Sequence, residues 1–378
     1  MQFKFIPLAI ALAFAGSAGA QEIIKIGHVA PVSGPSAHLG KDNENGAKMA
    51  IEDLNAKGIK IDGKPVKFVL QLEDDGGDPK QGTAVAQKLV DAKVNGVIGH
   101  LNSGTTIPAS KIYYDAGIPE ISPATTQTQY TKQGFNSAFR VVANDAKLGG
   151  TLGAYAVGKM GAKKIAVIDD RTAYGQGVAE EFVKGAKKAM PGVQIVAKEF
   201  TTDKATDFNA ILTTIKAKNP DVVFFGGMDS VGGPLLRQMK ALGINAKFMG
   251  GDGVCTESLP KLAGTAAANG VVTCAEAGGV TGEQQKGMDD FAARYRKKYN
   301  DDVKLYAPYV YDAVMTMGTA MAQANSAQPA KYLPVLQKIK YQGVTGLISF
   351  DNKGDIKDGA LTLYTYTGGK KTKIEVVK

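Results

Sequence analysis

At 378 residues the chain is long for one hydrophobic core and comfortable for two. Its 44% hydrophobic and 21% charged content excludes a disordered or fibrous protein, while a formal charge of +9 raises nucleic acid or an anionic surface as a partner. The distribution of that charge argues against both: arginine supplies only Arg140, Arg171, Arg237, Arg294 and Arg296, and the lysines are scattered, with no basic arm and no interleaved aromatic platform.

Residues 1–20 read as a secretory signal peptide. Lys4 gives a positive n-region, Phe5 to Phe14 an apolar core and Ala18-Gly-Ala20 a small-residue cleavage site, with Gln21 the first mature residue. The apolar segment is too short to span a bilayer, and no cysteine near the cleavage site offers a lipid anchor. An exported, soluble protein is expected.

From there strands and helices alternate. Ile23 to Val29 reads as a strand, followed by the loop Pro31-Val-Ser-Gly-Pro35. A helix with Ala47, Ala50, Ile51 and Leu54 at helical spacing ends at Lys57-Gly58. Val66 to Leu72 is a strand, Asp74 to Pro79 a turn, and Ala84, Val85, Leu89 and Val90 mark the next helix. The strand at Val97 leads through a polar turn to a helix over Thr105 to Ala116, and a strand at Ile118 to Ile121 follows.

The same grammar restarts near Asn144, with helices at Leu148–Met160, Tyr174–Met190, Phe208–Ala217 and Pro234–Leu242. Between them lie strands at Lys164–Ile168, Val193–Phe200 and Val222–Phe225, and a short one at Phe248-Met249. Beyond Gly278 the pattern is mostly helical: Glu283–Tyr299, Pro308–Asn325 and Ala330–Ile339, then strands at Leu347–Phe350 and Ala360–Tyr366. Two βαβ series predict two similar α/β lobes with parallel sheets, and a tail with too little sheet for a third lobe crosses back to complete them. Ligands of open α/β sheets sit beyond the carboxyl ends of the strands, which places the site in the cleft between the lobes.

The stretch Gly96 to Ser110 carries the clearest chemistry. An apolar strand stops at Gly99, Asn102-Ser-Gly-Thr-Thr106 forms a polar turn, and a helix begins. Such a junction aims unpaired amides, hydroxyls and the positive end of a helix dipole at one spot, suited to a carboxylate. Ser122-Pro-Ala-Thr-Thr126, at the end of the next apolar run, can share the same anion. In the second series Asp252 lies alone in the glycine-rich loop Gly250-Gly-Asp-Gly253, where it could bind a cation or cap the loop. Tyr174, Met228 and Tyr306 lie near strand-to-helix junctions and suit either packing or a cleft wall.

Enzyme signatures are scarce. There is no Gly-x-Ser-x-Gly elbow, Gly368 to Thr372 lacks phosphate-loop spacing, and Tyr174-Gly-Gln-Gly177 has Glu180 where a dinucleotide fingerprint needs glycine. Asp74-Asp75 and Asp169-Asp170 read as loop caps rather than acid–base pairs. His28, His38 and His100 make no recognisable metal site, and no cofactor is expected. Cys255 and Cys274 are expected to pair in an oxidising compartment, two buried free thiols being the alternative.

An anion receptor on one lobe and a carboxylate on the other, with apolar and aromatic residues between, complement an apolar α-amino acid. Here the chain resembles the periplasmic leucine/isoleucine/valine-binding proteins of branched-chain amino acid ABC transporters. Pro31–Pro35, Asp75–Gln81, Val97–Leu101, Ser122–Thr126, Tyr174–Gly177, Phe248–Gly253 and Asp351–Asp355 carry the likeness. The resemblance implies a type I periplasmic binding protein: two Rossmann-like lobes with parallel central sheets, joined by three crossover strands. The first lobe takes residues 21–143 and about 278–348, the second 144–277 and about 349–378. It also implies that Ser103, the backbone of Ala124, and Thr126 take the α-carboxylate, that Asp252 pairs with the α-ammonium, and that Tyr174 and Tyr306 wall the cleft with Leu39, Leu101, Asn102 and Met228.

Asp252 stands where relatives commonly carry glutamate, and Leu39 and Met228 replace aromatics. Leucine, isoleucine and valine lead as ligands, with an aromatic amino acid or another small carboxylate or amide as alternatives. The implied partners are an amino acid and the permease subunits of an inner-membrane ABC transporter, or a receptor if the protein serves sensing. The implied setting is a periplasmic monomer without catalysis.

Overall fold

The computed structural model describes residues 21–264 and 269–377, so the expected signal peptide lies outside the described residues. Strand β1 (Glu22–Ala30) is followed by α1 (Ala37–Ala56), β2 (Lys60–Ile61), β3 (Lys64–Asp74), α2 (Pro79–Asp91), β4 (Gly96–Ile98), α3 (Ser103–Asp115), β5 (Glu120–Ser122), α4 (Gln129–Lys132) and β6 (Ala138–Arg140). These strands form one sheet in the order β2-β3-β1-β4-β5-β6, parallel except where β2 meets β3.

The second series begins at α5 (Asp145–Gly158). It continues through β7 (Lys164–Asp169), α6 (Ala173–Ala189), β8 (Gln194–Phe200), α7 (Asn209–Lys218), β9 (Val222–Gly226), α8 (Asp229–Ala241) and β10 (Lys247–Gly250). A 3₁₀ turn at Asp252–Val254, α9 (Leu259–Ala263) and β11 (Val272–Glu276) complete it. The chain then returns to the first lobe with α10 (Glu283–Tyr299), α11 (Ala307–Gln323), which packs along α1, and α12 (Pro329–Leu336). The hairpin of β12 (Tyr341–Gly343) and β13 (Gly346–Ile348) precedes β14 (Leu361–Thr367) and β15 (Lys370–Val377), which join the second sheet. The chain thus passes between lobes three times, near residues 141–144, 277–282 and 349–360.

The second sheet runs β15-β14-β11-β10-β9-β7-β8. From β11 through β8 it is parallel, but β14 pairs antiparallel with both β11 and β15, so the all-parallel expectation fails at the β14–β15 end of this sheet and at the β2 end of the first. The interior strands have the composition a doubly covered sheet requires: every residue of Val222–Gly226 and of Gly96–Ile98 is buried. Helix α8 starts at Asp229, five residues before the expected Pro234, which sits inside the helix. Strands β2, β6, β11, β12 and β15 and helices α4 and α9 have no counterpart in the sequence reading. On α2 the buried face uses Val85, Ala86 and Leu89, while Ala84 is exposed.

The loop-cap reading of the paired acids holds. Asp74 Oδ1 accepts from the amides of Val32, Ser33 and Gly76, and Asp170 Oδ1 from the amide and hydroxyl of Thr172. Gly368 and Gly369 turn the β14–β15 hairpin, both at positive φ. Cys255 and Cys274 form a disulfide, both fully buried.

Strand order locates the site. In the first sheet β3 and β4 flank β1, so successive connections leave in opposite directions at the β1/β4 junction; in the second the same reversal occurs between β7 and β9. A crevice opens at such switch points, beyond the carboxyl ends of the strands. The loops after β4 and β5 face those after β7, β9 and β10 across the cleft.

Candidate functional site

Two turns from the first lobe are built as one unit. Asn102 caps α3 through its carbonyl, which accepts from the amides of Thr105 and Thr106, each at 3.0 Å. Ser103 is the first helical residue. At the end of β5, Ser122 Oγ donates to His100 O (2.8 Å) and accepts from the Thr125 amide (3.0 Å). The Thr106 and Thr125 hydroxyls meet at 2.5 Å, and the Gln127 amide reaches Ser103 Oγ at 3.4 Å. His100, fully buried, is held between Asp75 (2.8 Å) and the Tyr113 hydroxyl (3.0 Å), fixing the loop from below. Small hydroxyl residues suit this place because two strand ends must approach closely while satisfying buried polar groups.

The opposing turn follows β10. Tyr174 Oη accepts from the Gly253 amide at 2.9 Å, and a Cβ at Gly251 or Gly253 would press into the Tyr174 side chain. The glycines around Asp252 are therefore what lets the ring lie against the turn. Tyr306 reaches Asp252 from the other lobe, donating to Oδ2 at 2.9 Å. Asp42 on α1 presents Tyr306 by accepting the backbone amides of Lys304, Leu305, Tyr306 and Ala307, at 2.7–3.1 Å.

Between the turns lies a tight inner chamber of about 10 Å³. Ser103, Asn102, Leu101 and Ala124 line it from the first turn unit, Tyr174, Met228 and Asp252 from the opposite lobe, and Tyr306 from the head of α11. Eight of the ten expected site residues thus converge. Thr126 and Leu39 do not line the chamber: both are fully buried beside it, Leu39 in the apolar cluster that includes Leu101, Tyr174, Met228 and Tyr306. An outer cleft of about 460 Å³ shares Asn102, Ser103, Tyr174 and Met228 with the chamber and is charged at its rim, with Asp78, Asp203, Arg171 and Lys204.

Electrostatically the chamber is short of cations. Asp252 is 2% exposed, and burial pushes its carboxyl up to about 6 against the pull of the Tyr174 and Tyr306 hydroxyls. Its Oδ1 has no hydrogen-bond partner among the described residues. A second carboxylate stands nearby that the sequence reading missed. Asp145, first residue of α5, is fully buried with neither oxygen bonded, and burial drives it well above the carboxylate range. The Thr126 hydroxyl eases its charge without forming a well-aligned bond, and Asp252 adds repulsion. An acid opening a helix is ordinarily read as a dipole partner, so only the fold distinguishes Asp145. The burial of both carboxyls favours a ligand that brings positive charge. Among the described residues no group of three or more His, Cys, Asp or Glu side chains is arranged to hold a metal ion.

A direct latch joins the lobes beside Leu39 and Met228. His38 Nε2 lies 2.9 Å from Asp229 Oδ2, which also accepts from the Thr256 hydroxyl at 2.6 Å. Burial works to lower the His38 pKa, but the Asp229 hydrogen bond and charge outweigh it, Asp42 adds to them and Lys304 opposes; the net shift is upward from 6.5. A raised imidazole pKa means that the latch contributes fully below about 6.5 and is lost as pH rises through the shifted value. His38→Gln is expected to weaken ligand affinity by about threefold to fivefold at pH 6, as for a partly exposed ion pair. The deficit should vanish at pH 9, and titration at the two pH values reads it.

Comparison with known proteins follows the same geometry. The family model described as "Periplasmic binding protein" matches residues 23–371. The chain is 36% identical to the Leu/Ile/Val-binding protein homolog 1 of Brucella abortus over 383 residues, spanning 100% of this chain and 98% of that protein. It is 34% identical to the leucine-, isoleucine-, valine-, threonine- and alanine-binding protein of Pseudomonas aeruginosa, over 96% of this chain and 94% of that one. The structure is similar to that of the branched-chain amino acid transporter substrate binding protein LivJ from Streptococcus pneumoniae in complex with isoleucine. The TM-score is 0.84 at 30% identity, covering 94% of this chain and 100% of that one.

Proposed function

The chain belongs to the periplasmic binding protein family, and from that premise we propose that it captures a branched-chain or other apolar α-amino acid between its lobes and hands it to an ABC transporter permease. The family is one of binding proteins, not enzymes. One observation carries the ligand reading: a buried chamber with an amide- and hydroxyl-rich helix entrance on one side and an unpartnered carboxylate oxygen on the other. A zwitterion satisfies both at once, and an apolar side chain suits Leu101 and Met228.

In this reading the first lobe receives the ligand's carboxylate through Ser103, the Ala124 backbone and the backbone amide of Thr126, whose side chain is packed beside the chamber rather than in it. Asp252 takes the ammonium once the lobes meet. Tyr174 and Tyr306 close the walls, and the His38–Asp229 contact holds the rim. Closure is driven by contacts that exist only in the closed form, so the ligand shifts a pre-existing equilibrium rather than forcing a new shape. The closed face is what a permease in the inner membrane would engage, and the working site is the periplasm, reached through the signal peptide of residues 1–20.

Calorimetric titration of protein stripped of carried-over ligand by unfolding and refolding, against all twenty amino acids, tests the proposal. Leucine, isoleucine and valine are expected to bind at micromolar affinity or tighter, about −8 kcal/mol or better. Silence toward every amino acid would overturn the ligand assignment and redirect it to other small carboxylates or amides.

A further inference from the structure

Behind the first-lobe turns sits a buried arginine that the reading above leaves unused. Arg140, at the end of β6, is fully buried. Its Nη1 donates to two backbone carbonyls, Thr125 O at 2.9 Å and Gln127 O at 3.0 Å, and Nη2 donates to the Thr131 hydroxyl at 2.9 Å. The intervening carbonyl, Thr126 O, accepts from the Asp145 amide at 2.7 Å. Three successive carbonyls of the turn are therefore pinned.

A trans peptide holds its carbonyl and its amide on opposite sides. Pinning Thr125 O to the guanidinium thus turns the Thr126 N–H away from Arg140. Pinning Thr126 O likewise directs the Gln127 N–H toward Ser103 Oγ. A fixed positive charge behind the turn also favours an anion in front of it.

The guanidinium is itself held from the far end of the chain. Asp355 Oδ1 lies 2.6 Å from Arg140 Nε and accepts from the Thr131 hydroxyl at 2.9 Å. Its Oδ2 accepts from Asn144 Nδ2 at 3.1 Å, the residue that caps α5. The backbone closes the same contact, Arg140 N donating to Gly354 O at 3.0 Å. Gly354 has φ +94°, and a Cβ there would collide with the Ala138 carbonyl, so glycine permits the docking. Asn144 lies on the first passage between lobes and Asp355 on the third.

We infer that Arg140 and Asp355 are positioning residues for the carboxylate-receiving turn, orienting the Thr126 amide and tying the turn to two of the three lobe crossings. The inference rests on the amino-acid reading of the chamber. Its consequence is that Asp355, which lines neither the chamber nor the outer cleft, governs how well the ligand's carboxylate is recognised.

The test compares leucine with leucinamide, which keeps the ammonium and side chain but lacks the carboxylate. Both are titrated into refolded wild-type protein and into Asp355→Asn, Arg140→Lys and Arg140→Met, with circular dichroism and thermal midpoints recorded beside them. Asp355→Asn removes the charge paired with Arg140 and is expected to lower leucine affinity by about tenfold, the scale of one partly buried ion pair. It should leave leucinamide affinity nearly unchanged, so that selectivity falls by the same factor. Arg140→Lys should recover part of what Arg140→Met loses. If Arg140→Met does not fold, Asp355→Asn carries the test alone. Wild-type leucine affinity in Asp355→Asn, or equal losses for the two ligands, overturns the positioning role. Wild-type protein that is silent toward every amino acid overturns instead the amino-acid reading on which it rests; if another apolar amino acid binds and leucine does not, that amino acid and its amide take the place of leucine and leucinamide.

Discussion

Asp252→Asn is expected to reduce amino-acid affinity by about two orders of magnitude or more while the protein stays folded. Removing one member of a buried, hydrogen-bonded charge pair costs about 2–5 kcal/mol. In the proposed site the lost partner is the group that would face the ligand's ammonium. The variant should also unfold at a higher temperature than wild type when no ligand is present. The wild-type carboxylate is buried with one oxygen unpartnered, and an amide of the same shape removes that cost.

The pH dependence has a definite sign. Because the carboxyl is raised from 3.8 to about 6, the ligand-free protein gains stability on acidification, and loses it as pH rises through that interval. Ligand affinity moves the other way, since a proton on Asp252 competes with the ammonium, and it should fall below about pH 6. In Asp252→Asn this limb should flatten. Asp145 interacts with Asp252, so the acid limb reports the pair. Titration across pH 4.5 to 7 in both proteins checks all of this. An affinity that does not change between Asp252 and asparagine would remove the ammonium assignment.

The second large effect concerns stability. Replacing Cys255 and Cys274 together by alanine is expected to cost about 3 kcal/mol, the chain-entropy value for a loop of this size. The two residues are separated by 19 positions, and the bond pins the segment after the Asp252 turn to β11. Both cysteines lie in the second-lobe core with Phe248, Val254 and Tyr366, so lost packing adds to the deficit. Thermal or urea unfolding of the double variant, with and without leucine, measures it. Affinity should change far less than stability, because Asp252 is also held by the Tyr174–Gly253 contact. An unfolding midpoint equal to that of wild type would contradict the expectation.

Much of this was legible in the chain because burial on both faces leaves a simple signature. Val222 to Phe225 and Val97-Ile98 are uninterrupted apolar runs, and parallel interior strands read that way. The Asn102 to Thr106 turn and the Gly250 to Gly253 loop announce themselves through small residues where backbones must approach. What escaped has a physical reason in each case. β15 is Lys-Lys-Thr-Lys-Ile-Glu-Val-Val with no buried residue, so no apolar alternation marks it. Strand direction leaves no trace in periodicity, which is why the antiparallel pairing of β14 was not anticipated. Helix α8 runs through Pro234, whereas a proline is ordinarily taken as a helix start. Asp145, Asp42 and Arg140 are single polar residues whose local patterns suggest caps or surface. Only the tertiary fold buries them and gives them partners.

The pairing of β11 with β14 bears on how the molecule is assembled. Cys274 sits opposite Tyr364, with 89 residues, one passage to the first lobe and one passage back between them. Until the last hairpin arrives, β11 is an outer strand with its main-chain donors and acceptors open on one side, ready to template a foreign strand. A chain ending before residue 361 should therefore self-associate through that edge rather than merely lose stability, and its disulfide would stand at the rim of the sheet. Contacts this distant in sequence form late and slowly. The second lobe is thus sealed only when residues 361–377 dock beside β11.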